Sequence, residues 1–433
     1  MSSIVTPFYL NPPTKAGWLI LKLKHLCLCG PVYGENIPAD EYAAEGLRFI
    51  RTTDIDDAGH LSAEGVYIHS VAPEVRLKDG DLLLSRSGTI GRSFLYRSAI
   101  HGPCAHAGYL VRFRPKGVHT GRFLFWVTKS RPFLAQLASD AIESTIVNFN
   151  GQRYANLALL CPSGEEQRAI ADFLDRETAK IDALIAAQER LIALLDEKRQ
   201  ATITHAVTKG LDPNVPMKES GVEWLGKVPR HWGVIPLKRC CRIPNGLVDP
   251  TVGRYATLSL IAPNHVQSGT GRLLEVETAD DQGAISGKYH FAEGTVLYSK
   301  IRPALRKACV APFEGLCSAD MYPIYSTKIT PRLLLYQLLS DYFSSFAILS
   351  SDRVAMPKVN RETIGDFPMV VPPSAEQEVI VRYVDEAVAE IDRLGDRSVE
   401  VIERLRERRT ALITAAVTGQ IDVTRSAVTE AAK

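Results

Sequence analysis

The sequence contains a long internal repeat. Residues 166–212 align without a gap on residues 376–422 at a constant offset of 210, and 19 of the 47 aligned positions are identical. An ungapped match of this length indicates two related halves in tandem, so whatever one half does is expected to be done twice. Any fold proposed for this chain must therefore contain the same arrangement of elements two times.

The composition is that of a globular protein with two or three domains. The chain has 433 residues, of which 45% are hydrophobic and 23% are charged, which is enough apolar material for ordinary cores. No apolar run approaches the ~18 residues of a membrane helix, and the first residues lack the pattern of a signal peptide. We therefore expect a cytoplasmic protein that does not insert into a membrane.

The eight cysteines do not form a metal-binding pattern. Cys27 lies close to Cys29, and Cys240 lies next to Cys241, but neither pair has a second pair at the spacing of a zinc site. Buried, reduced thiols are the simpler interpretation, and we expect no metal and no other cofactor.

Charge alternates along the chain. The net charge of the whole chain is +2, but residues 1–161 and 213–371 each carry +4, whereas residues 162–212 and 372–433 each carry −3. Basic segments that alternate with acidic ones suggest two surfaces that meet a polyanion and two that do not. Chance is the alternative, because +4 is a modest charge for segments of this length.

The repeated acidic segments carry the signals of long helices. Ser163 with Glu166, and Ser374 with Gln377, have the spacing of a capping box at a helix N-terminus. More than forty residues without proline, and with at most one glycine, follow in each copy. These signals predict two helices of about 40–45 residues, each on the order of 65 Å long.

The apolar pattern of both helices has a period near 3.5, which predicts that they pack on each other as an antiparallel coiled coil. The predicted seam consists of Leu174, Ile181, Gln188, Leu195 and Thr202 in the first copy and of Val384, Ile391, Ser398, Leu405 and Leu412 in the second. The predicted companion row consists of Leu184, Leu191, Leu394 and Val401. The polar seam residues Gln188 and Ser398 either fix the register of the pair or are tolerated local imperfections.

The two basic segments repeat more weakly, and they share a frame rather than a sequence. Matched positions include Trp18 and Trp232, Arg122 and Arg332, and Asn150 and Asn360. Short apolar runs such as Leu82–Leu84 and Val296–Tyr298, broken by Gly and Pro turns, indicate strands. We predict an α+β fold with a pseudo-twofold internal repeat: mixed α/β domains at 1–161 and, with a linker, at 213–371, separated by long helical segments at 162–212 and 372–433.

A basic loop follows a predicted strand at matched places in both domains. The residues of these loops are Ser85, Arg86, Ser87, Thr89 and Arg92 in the first and Ser299, Lys300, Arg302, Arg306 and Lys307 in the second. Arginine can bind a guanine edge with two hydrogen bonds, and hydroxyl and amide groups can bind phosphate oxygens. The loops are therefore candidate DNA contacts, and solvated surface charges are the alternative.

An enzyme that is repeated should show its catalytic residues twice. The polar residues that occur twice here are helix residues and basic loop residues, and no nucleophile–base pair or carboxylate cluster stands out. The segment Asn11-Pro12-Pro13-Thr14 is similar to the N-P-P-[YF] motif of amino-methyltransferases, but it ends in Thr and follows no strand with a glycine-rich turn. The pattern favours a binding protein over an enzyme. A helical scaffold that binds protein or another ligand is the alternative to DNA binding.

Two variable domains, each followed by a long helix that opens with P-x-x-x-E-Q, resemble the DNA-specificity subunit of type I restriction-modification systems. The resemblance rests on Pro162, Glu166, Gln167, Ile181 and Asp182 in the first copy and on Pro372, Glu376, Gln377, Ile391 and Asp392 in the second. The stretch from Trp224 to Trp232 also resembles the family, and the resemblance covers nearly the whole chain.

This resemblance implies a non-catalytic subunit in which each target recognition domain recognises one half of a split, asymmetric site in double-stranded DNA. The paired helices would set the spacer between the half-sites and would bind two modification (adenine methyltransferase) subunits, and a restriction (motor-nuclease) subunit would join them. The residues expected in helix pairing and partner binding are Glu166, Gln167, Leu174, Ile181, Gln188, Leu195, Glu376, Gln377, Val384, Ile391, Ser398 and Leu405.

Overall fold

A computed structural model describes residues 15–142, 149–351 and 357–423, without the side chains of residues 118 and 140–142; residues 11–14 lie outside this part. The chain folds as two compact units. Unit 1 is built from residues 1–188 and 400–433, and unit 2 from residues 189–399. Each unit therefore contains parts of both long helices. The domain boundaries at 161, 212 and 371 stay a prediction.

Unit 1 combines short strands with four helices and the first part of a long one. Its strands are β1 (Leu19–Lys22), β2 (Val32–Tyr33), β3 (Leu47–Ile50), β4 (Val66–Ile68), β5 (Leu82–Ser85), β6 (Ser93–Leu95), β7 (Cys104–His106), β8 (Leu110–Phe113) and β9 (Ala158–Cys161). Its α-helices are α1 (Ser98–His101), α2 (Val118–Thr128), α3 (Arg131–Ile142), α4 (Gly151–Asn156) and the long α5 (Gly164–Lys209). Single 3-10 turns lie at Leu23–Leu26, Ala39–Glu41, Thr52–Asp54 and Pro73–Val75.

Unit 2 has the same kinds of element in a similar order. Its strands are β10 (Met217–Glu219), β11 (Lys227–Pro229), β12 (Gly233–Pro236), β13 (Cys241–Arg242), β14 (Leu260–Ile261), β15 (Tyr289–Phe291), β16 (Val296–Ser299), β17 (Ala308–Val310), β18 (Gly315–Cys317), β19 (Met321–Ser326) and β20 (Pro368–Val371). Its α-helices are α6 (Pro331–Leu339), α7 (Asp341–Leu349), α8 (Arg361–Asp366) and the start of the long α9 (Ser374–Val417). Its 3-10 turns lie at Leu237–Arg239, Gly253–Tyr255, Pro263–His265 and Pro303–Leu305.

The sheets of the two units correspond. The four-stranded antiparallel sheet has the order β2-β8-β5-β6 in unit 1 and β13-β19-β16-β17 in unit 2. A pair of strands, β1 with β9 and β12 with β20, joins the beginning of each domain to the strand that precedes its long helix. The central strands β5 and β16 are buried along their whole length, which is why they are continuous apolar runs rather than alternating ones.

The three-stranded sheets differ in one pairing. In unit 1, β3 pairs with both β4 and β7, whereas in unit 2 β18 pairs with both β14 and β15. Each of these sheets contains one parallel pair and one antiparallel pair. The shared frame therefore extends to the sheet topology. The differences are the central strand of the three-stranded sheet and the additional β10–β11 pair of unit 2.

Helix α5 has 46 residues and α9 has 44, as the sequence predicts. The first predicted capping box is confirmed. The Ser163 hydroxyl accepts a hydrogen bond from the Glu166 amide at 3.3 Å, and the Glu166 carboxylate accepts one from the Ser163 amide at 3.2 Å. Two of the donors that a helix N-terminus leaves unsatisfied are thereby bound.

The second predicted capping box, Ser374 with Gln377, is wrong. Helix α9 begins at Ser374 itself, and the Pro373 carbonyl accepts the Gln377 amide at 3.1 Å. The Gln377 side chain donates instead to the Pro372 carbonyl at 2.9 Å. The helix starts one residue earlier relative to the serine, because the repeat aligns Pro373, not Ser374, with Ser163.

The two long helices pack on each other as an antiparallel pair, with the predicted seam inside. Buried seam residues are Leu174, Ile181, Leu195, Val384, Ile391 and Ser398, and half-buried ones are Gln188, Thr202, Leu405 and Leu412. The predicted companion row is wrong, because Leu184, Leu191, Leu394 and Val401 are 39–53% exposed. The buried companions follow the seam residues by four positions rather than three, and include Thr178, Val388, Arg199 and Ile402.

An ion pair crosses between the long helices in each unit. In unit 1 the Arg409 guanidinium donates to the Asp182 carboxylate at 2.8 Å, and in unit 2 Arg199 donates to Asp392. The four residues are matched by the offset of 210. A guanidinium that is 9% exposed, as Arg199 is, needs such a partner because an unpaired buried charge is costly.

Candidate nucleic-acid interface

The loop after β5 and the loop after β16 both begin with a serine whose hydroxyl closes a turn, although the two turns differ in length. The Ser85 hydroxyl donates to the Thr89 carbonyl, and the Ser299 hydroxyl donates to the Ile301 carbonyl at 3.1 Å. Both serines are at most 2% exposed. Their hydroxyls are therefore committed to closing the turn.

Three of the predicted cations are held inside their own unit. Arg92 donates to the Thr52 carbonyl at 3.4 Å and pairs with Asp57 at 2.5 Å, and Lys307 donates to the Pro263 carbonyl at 2.7 Å. Thr52 and Pro263 are the first residues of equivalent 3-10 turns. Arg306 binds Gln200 and pairs with Asp341 at 2.7 Å. These side chains stabilise the loops by intramolecular contacts.

Two of the remaining loop cations, Arg86 and Lys300, lie against aromatic rings, and so does Arg361. The Arg86 guanidinium lies 5.1 Å from the centre of the Tyr33 ring in unit 1. In unit 2 the Lys300 ammonium lies 5.4 Å, and the Arg361 guanidinium 5.5 Å, from the centre of the Tyr322 ring. Cations over aromatic faces are oriented while they keep their charge.

Each loop is tied to the segment before the next short helix. The Phe149 amide donates to the Arg86 carbonyl at 2.8 Å, and the Val359 amide donates to the Lys300 carbonyl at 2.9 Å. The loops and these segments therefore form one continuous surface in each unit. In unit 2 this surface, which we call the unit 2 basic surface, consists of Lys300, Arg302, Lys358 and Arg361.

Sequence reasoning missed the aromatic partners and Arg361. Tyr322 lies on β19 and Tyr289 on β15, and the Tyr289 hydroxyl accepts from Arg361 at 3.1 Å. Burial raises the pKa of Tyr322 while Arg361 opposes the shift, so the ring stays a neutral phenol. The available signal was the match of Asn150 with Asn360: each asparagine caps a short helix, α4 or α8, and Arg361 follows the second directly.

Four residues at the start of the long helices contact the domains, and their predicted role in partner binding stays a prediction. Glu166 accepts from Trp18 at 3.3 Å, and Glu376 accepts from Trp232 at 2.9 Å. Although burial opposes it, a hydrogen bond from Lys15 lowers the pKa of Glu166. The Gln167 side chain, like that of Gln377, donates to the proline carbonyl five residues before it, at 3.0 and 2.9 Å.

Each of these tryptophans also packs against the end of the other long helix. A Cβ atom on Gly210 would lie 3.2 Å from the Trp232 ring, and one on Gly419 would lie 3.3 Å from the Trp18 ring. Both glycines have positive φ angles, of 78° and 74°, as expected where a helix ends in a left-handed residue. A tryptophan is thus wedged between the start of one helix and the end of the other in each unit.

A second matched contact lies farther along each helix. In unit 1, Asp175 accepts from Arg122 and from Trp126, both at 2.7 Å. In unit 2, Asp385 accepts from Arg332 at 2.8 Å and from the Tyr336 hydroxyl. We call the Asp175 and Asp385 contacts, together with the tryptophan contacts, the helix–domain junctions.

A cleft of about 760 Å³ lies beside the junction of unit 1. Its walls include Phe94, Trp126, Arg48, Asp182 and His60. In unit 2 Arg272, which follows a glycine in a similar hairpin, reaches Asp392 at 2.8 Å. His60, at the corresponding place in unit 1, contacts Asp56 at 3.2 Å instead.

Two absences hold for the part of the chain that the structure describes. There, three or more His, Cys, Asp or Glu side chains never come close enough together to hold a metal ion. Likewise, no helix in residues 15–142, 149–351 or 357–423 is long and apolar enough to cross a membrane.

Comparison with known proteins gives consistent relatives, although no family model matches the chain. The EcoDI specificity subunit of the type I restriction enzyme of Escherichia coli is 29% identical over 314 residues, which cover 69% of this chain and 70% of that protein. The EcoKI specificity subunit of Escherichia coli strain K12 is 21% identical over 94% of this chain and 89% of that protein.

Solved structures share the fold. A chain from a type I restriction-modification system superposes with a TM-score of 0.66 at 16% identity, covering 95% of this chain and all of that one. The HsdS subunit of Thermoanaerobacter tengcongensis superposes with a TM-score of 0.51 at 16% identity, covering 95% of this chain and 99% of that one. The chain is thus a homologue of type I restriction enzyme specificity subunits and has the fold of the HsdS subunits.

Proposed function

We propose that this chain is the DNA-targeting subunit of a type I restriction-modification enzyme. Each unit recognises one half of a bipartite, asymmetric DNA site, and the chain itself catalyses no reaction. It directs modification subunits, which methylate adenine, and a restriction subunit to that site. The observation that carries the proposal is a basic loop at the same place in both units, with a cation over an aromatic ring in each.

The chemistry of these surfaces supports DNA as the ligand. Arg86 in unit 1 and the unit 2 basic surface present cations whose orientation is fixed by aromatic rings or by backbone ties. Fixed guanidinium groups suit contacts with base edges, and ammonium groups suit phosphates. Arg92, Arg306 and Lys307, which bind groups within their own unit, stabilise the same surface. Ser87 and Thr89 belong to the accessible part of the first loop.

In this proposal the length of the long helices sets the spacer between the two half-sites. Helix α5 has 46 residues and α9 has 44, and a continuous helix has a fixed rise of ~1.5 Å per residue. Residues that are added to both helices in whole heptads preserve the seam and lengthen the pair. We therefore expect the separation of the two half-sites to increase with the length of the helix pair.

The same helices provide the docking surface for two modification subunits. Leu184 and Leu191 on α5 and Leu394 and Val401 on α9 are exposed, and they are pairwise matched by the repeat. Exposed apolar residues in a regular row mark sites of protein association. Because the row occurs twice, we propose one modification subunit for each copy.

Salt dependence tests DNA binding most directly. The chain is assembled with its modification subunits, and its affinity for mixed-sequence DNA is measured between 50 and 200 mM salt, with roughly a hundred-fold or greater fall expected from counterion release. An affinity that does not change with salt would favour the alternative, a scaffold that binds protein.

Insertion of a heptad into each long helix tests whether helix length sets the spacer. Seven residues are inserted between Asp182 and Arg199 in α5, and seven between Asp392 and Arg409 in α9, so that the seam is kept. The expected result, read by methylome sequencing, is a spacer longer by about three base pairs (~10 Å) with both half-sites unchanged. A change in the sequence of either half-site would contradict the proposal that the helices set only the spacer.

Introduction of charge tests whether the exposed apolar row on the long helices binds the modification subunits. The double variant Leu184→Glu, Leu394→Glu is expected to lose co-purification with the modification subunit while its unfolding midpoint stays within a few degrees of the parent, because both side chains are exposed. Ile285→Glu, at a position that is 86% exposed in unit 2, is the control and is expected to keep the partner. Retention of the partner by the double variant would place docking elsewhere.

A further inference from the structure

Two arginines of unit 2 occupy backbone positions that favour glycine. Arg302 has φ 49° and Arg306 has φ 47°, both in the left-handed region where a Cβ atom is crowded. In unit 1 the equivalent turn after β5 places Gly88 and Gly91 there, with φ angles of 72° and 84°. Glycine can therefore occupy both left-handed positions of this turn, as it does in unit 1, whereas unit 2 has arginine at both.

The fold accounts for one of the two arginines. The Arg306 guanidinium binds Gln200 and pairs with Asp341 at 2.7 Å. Its carbonyl accepts from the Gly269 amide at 3.1 Å. These contacts offset the backbone strain, so Arg306 has a role inside the unit.

The fold does not account for the other. The Arg302 side chain is exposed, and its guanidinium has no hydrogen bond or ion pair with any residue that the structure describes. A glycine would make the same backbone contacts without strain. A non-glycine residue that stays in a strained conformation points to a function outside the fold.

The surroundings of Arg302 indicate what it meets. Its backbone amide donates to the Pro357 carbonyl at 2.9 Å, the preceding residue Ile301 bridges to Lys358, and the following residue Pro303 is buried. The backbone of Arg302, and with it the direction of its Cα–Cβ bond, is thus fixed from both sides. Lys300, Lys358 and Arg361 flank it on the unit 2 basic surface, so its partner is a polyanion.

We propose that Arg302 recognises a guanine through its major-groove edge in the half-site bound by unit 2, whereas unit 1 has no equivalent contact because Gly88 stands in its place. The inference rests on the proposed function and names one specificity-determining residue within it. A phosphate contact needs only charge, but the two-point contact with guanine needs the planar fork of a guanidinium. The exposed Arg302 guanidinium, which has no partner among the described residues, can supply that fork.

The test compares Arg302→Gly and Arg302→Lys with the parent in the assembled complex. The probe is a duplex with the site found by methylome sequencing of the parent, beside duplexes in which each G·C pair of the half-sites is replaced. Arg302→Gly is expected to raise the Tm by about 2–4 °C, because strain is relieved, and to lower affinity for the site about 10- to 100-fold. Arg302→Lys keeps the charge, and it is expected to lose discrimination at the same base pair.

The outcomes are distinct. A parent complex that does not bind DNA would remove the proposed function and this inference together. If the parent binds and Arg302→Gly keeps both its affinity and its recognised sequence, the inference alone fails. If Arg302→Lys discriminates as the parent does while Arg302→Gly weakens binding to all sequences equally, Arg302 contacts phosphate and recognition of guanine is refuted. Arg254→Ala, at another exposed arginine of unit 2, is the control and should match the parent.

Discussion

The helix–domain junctions and the loops after β5 and β16 are two repeated regions with opposite behaviour. At the junctions, Asp175 and Asp385 accept hydrogen bonds from arginines at matched positions, and each unit wedges a tryptophan between helix ends. In the loops, the serines, the backbone ties and the contacts of Arg92 and Lys307 with the 3-10 turns are kept, but other positions differ. The left-handed positions hold glycine in unit 1 and arginine in unit 2.

The difference shows which contacts the fold requires. A junction contact is partly buried, and loss of one partner leaves a polar group unsatisfied, so both copies retain it. A loop side chain in solvent carries no such penalty. Its identity is therefore free to follow what each unit binds, and a search for specificity residues belongs where the two copies differ within a common frame.

Removal of a junction tryptophan should have the largest effect. Trp232 is 1% exposed, so Trp232→Ala should lower the free energy of unfolding by about 3–5 kcal/mol, measured by urea denaturation. Trp18→Ala should cost less because Trp18 is only half-buried. Trp224→Ala, at a tryptophan that is 56% exposed, is the control and should stay within ~0.5 kcal/mol. Equal losses for Trp232 and Trp224 would show that burial at the junction is not what stabilises unit 2.

The junction carboxylates should come next. Asp175→Ala should cost about 2–3 kcal/mol and Asp385→Ala about 1–2 kcal/mol. Asp175 is the more buried of the two and also accepts from Arg97 at 3.1 Å. Asp366→Ala removes an exposed ion pair with Lys238 and should cost under ~0.5 kcal/mol. If Asp385→Ala proved the more damaging, the two junctions would not be equivalent in the way their contacts suggest.

Acid should affect unit 1 through a residue that unit 2 lacks. Burial lowers the pKa of His106 to about 4 although the carbonyls of Val75 and Val32 oppose the shift. The equivalent place in unit 2 is Cys317, which pairs with Ile261 on β14 as His106 pairs with Ile50 on β3. Because the folded pKa lies below the unfolded value near 6.5, the unfolded chain binds more protons between pH 4 and 6.5, and stability falls as the pH is lowered through that range.

The loss should be on the order of 2 kcal/mol at pH 4 relative to pH 7. It is measured as the difference in pH dependence between the parent and His106→Gln, which cannot titrate. Identical pH profiles for the two would mean that the folded protein accommodates a charged His106.

The smallest effect concerns the turn after β5. A Cβ atom on Gly88 would meet nothing within 4 Å, but φ is +72°, so Gly88→Ala should cost about 1 kcal/mol from the backbone alone. Gly30→Ala, where space is also free and φ lies outside the left-handed region, should cost nothing measurable. Equal stabilities would show that such turns adapt, and the strain assigned to Arg302 would lose its basis.

Local signals explain what the sequence could predict. The heptad period and the Ser163–Glu166 spacing concern neighbours on one helix, and both α5 and the seam through Leu174 and Ile181 follow from them. The prediction of the companion row failed because the buried positions four residues after the seam hold polar Thr178 and Arg199 as well as apolar Val388 and Ile402, so the apolar pattern alone did not identify them. The prediction of the second capping box failed because Ser374 and Gln377 have the right spacing but lie one residue after the positions that match Ser163 and Glu166.

Contacts between distant residues explain what could not be predicted. Arg92 and Lys307 look like free loop cations, but their partners Thr52 and Pro263 lie about forty residues earlier in the chain. Arg361 and Tyr322 are likewise separated by an intervening pair of helices. No local pattern reports such pairings, so the sequence located both loops and could not divide their cations into internal and accessible ones.

The division of the chain into units has a consequence for synthesis on the ribosome. Unit 2 uses one continuous stretch, residues 189–399, whereas unit 1 needs residues 400–433 in addition to 1–188. The domain that is translated first therefore cannot complete its core until Ile413, Ala416 and Val417 emerge, which at ~5–20 residues per second takes at least ten seconds. During that interval the nascent first domain has an uncovered apolar face, and the order of completion is the reverse of the order of synthesis.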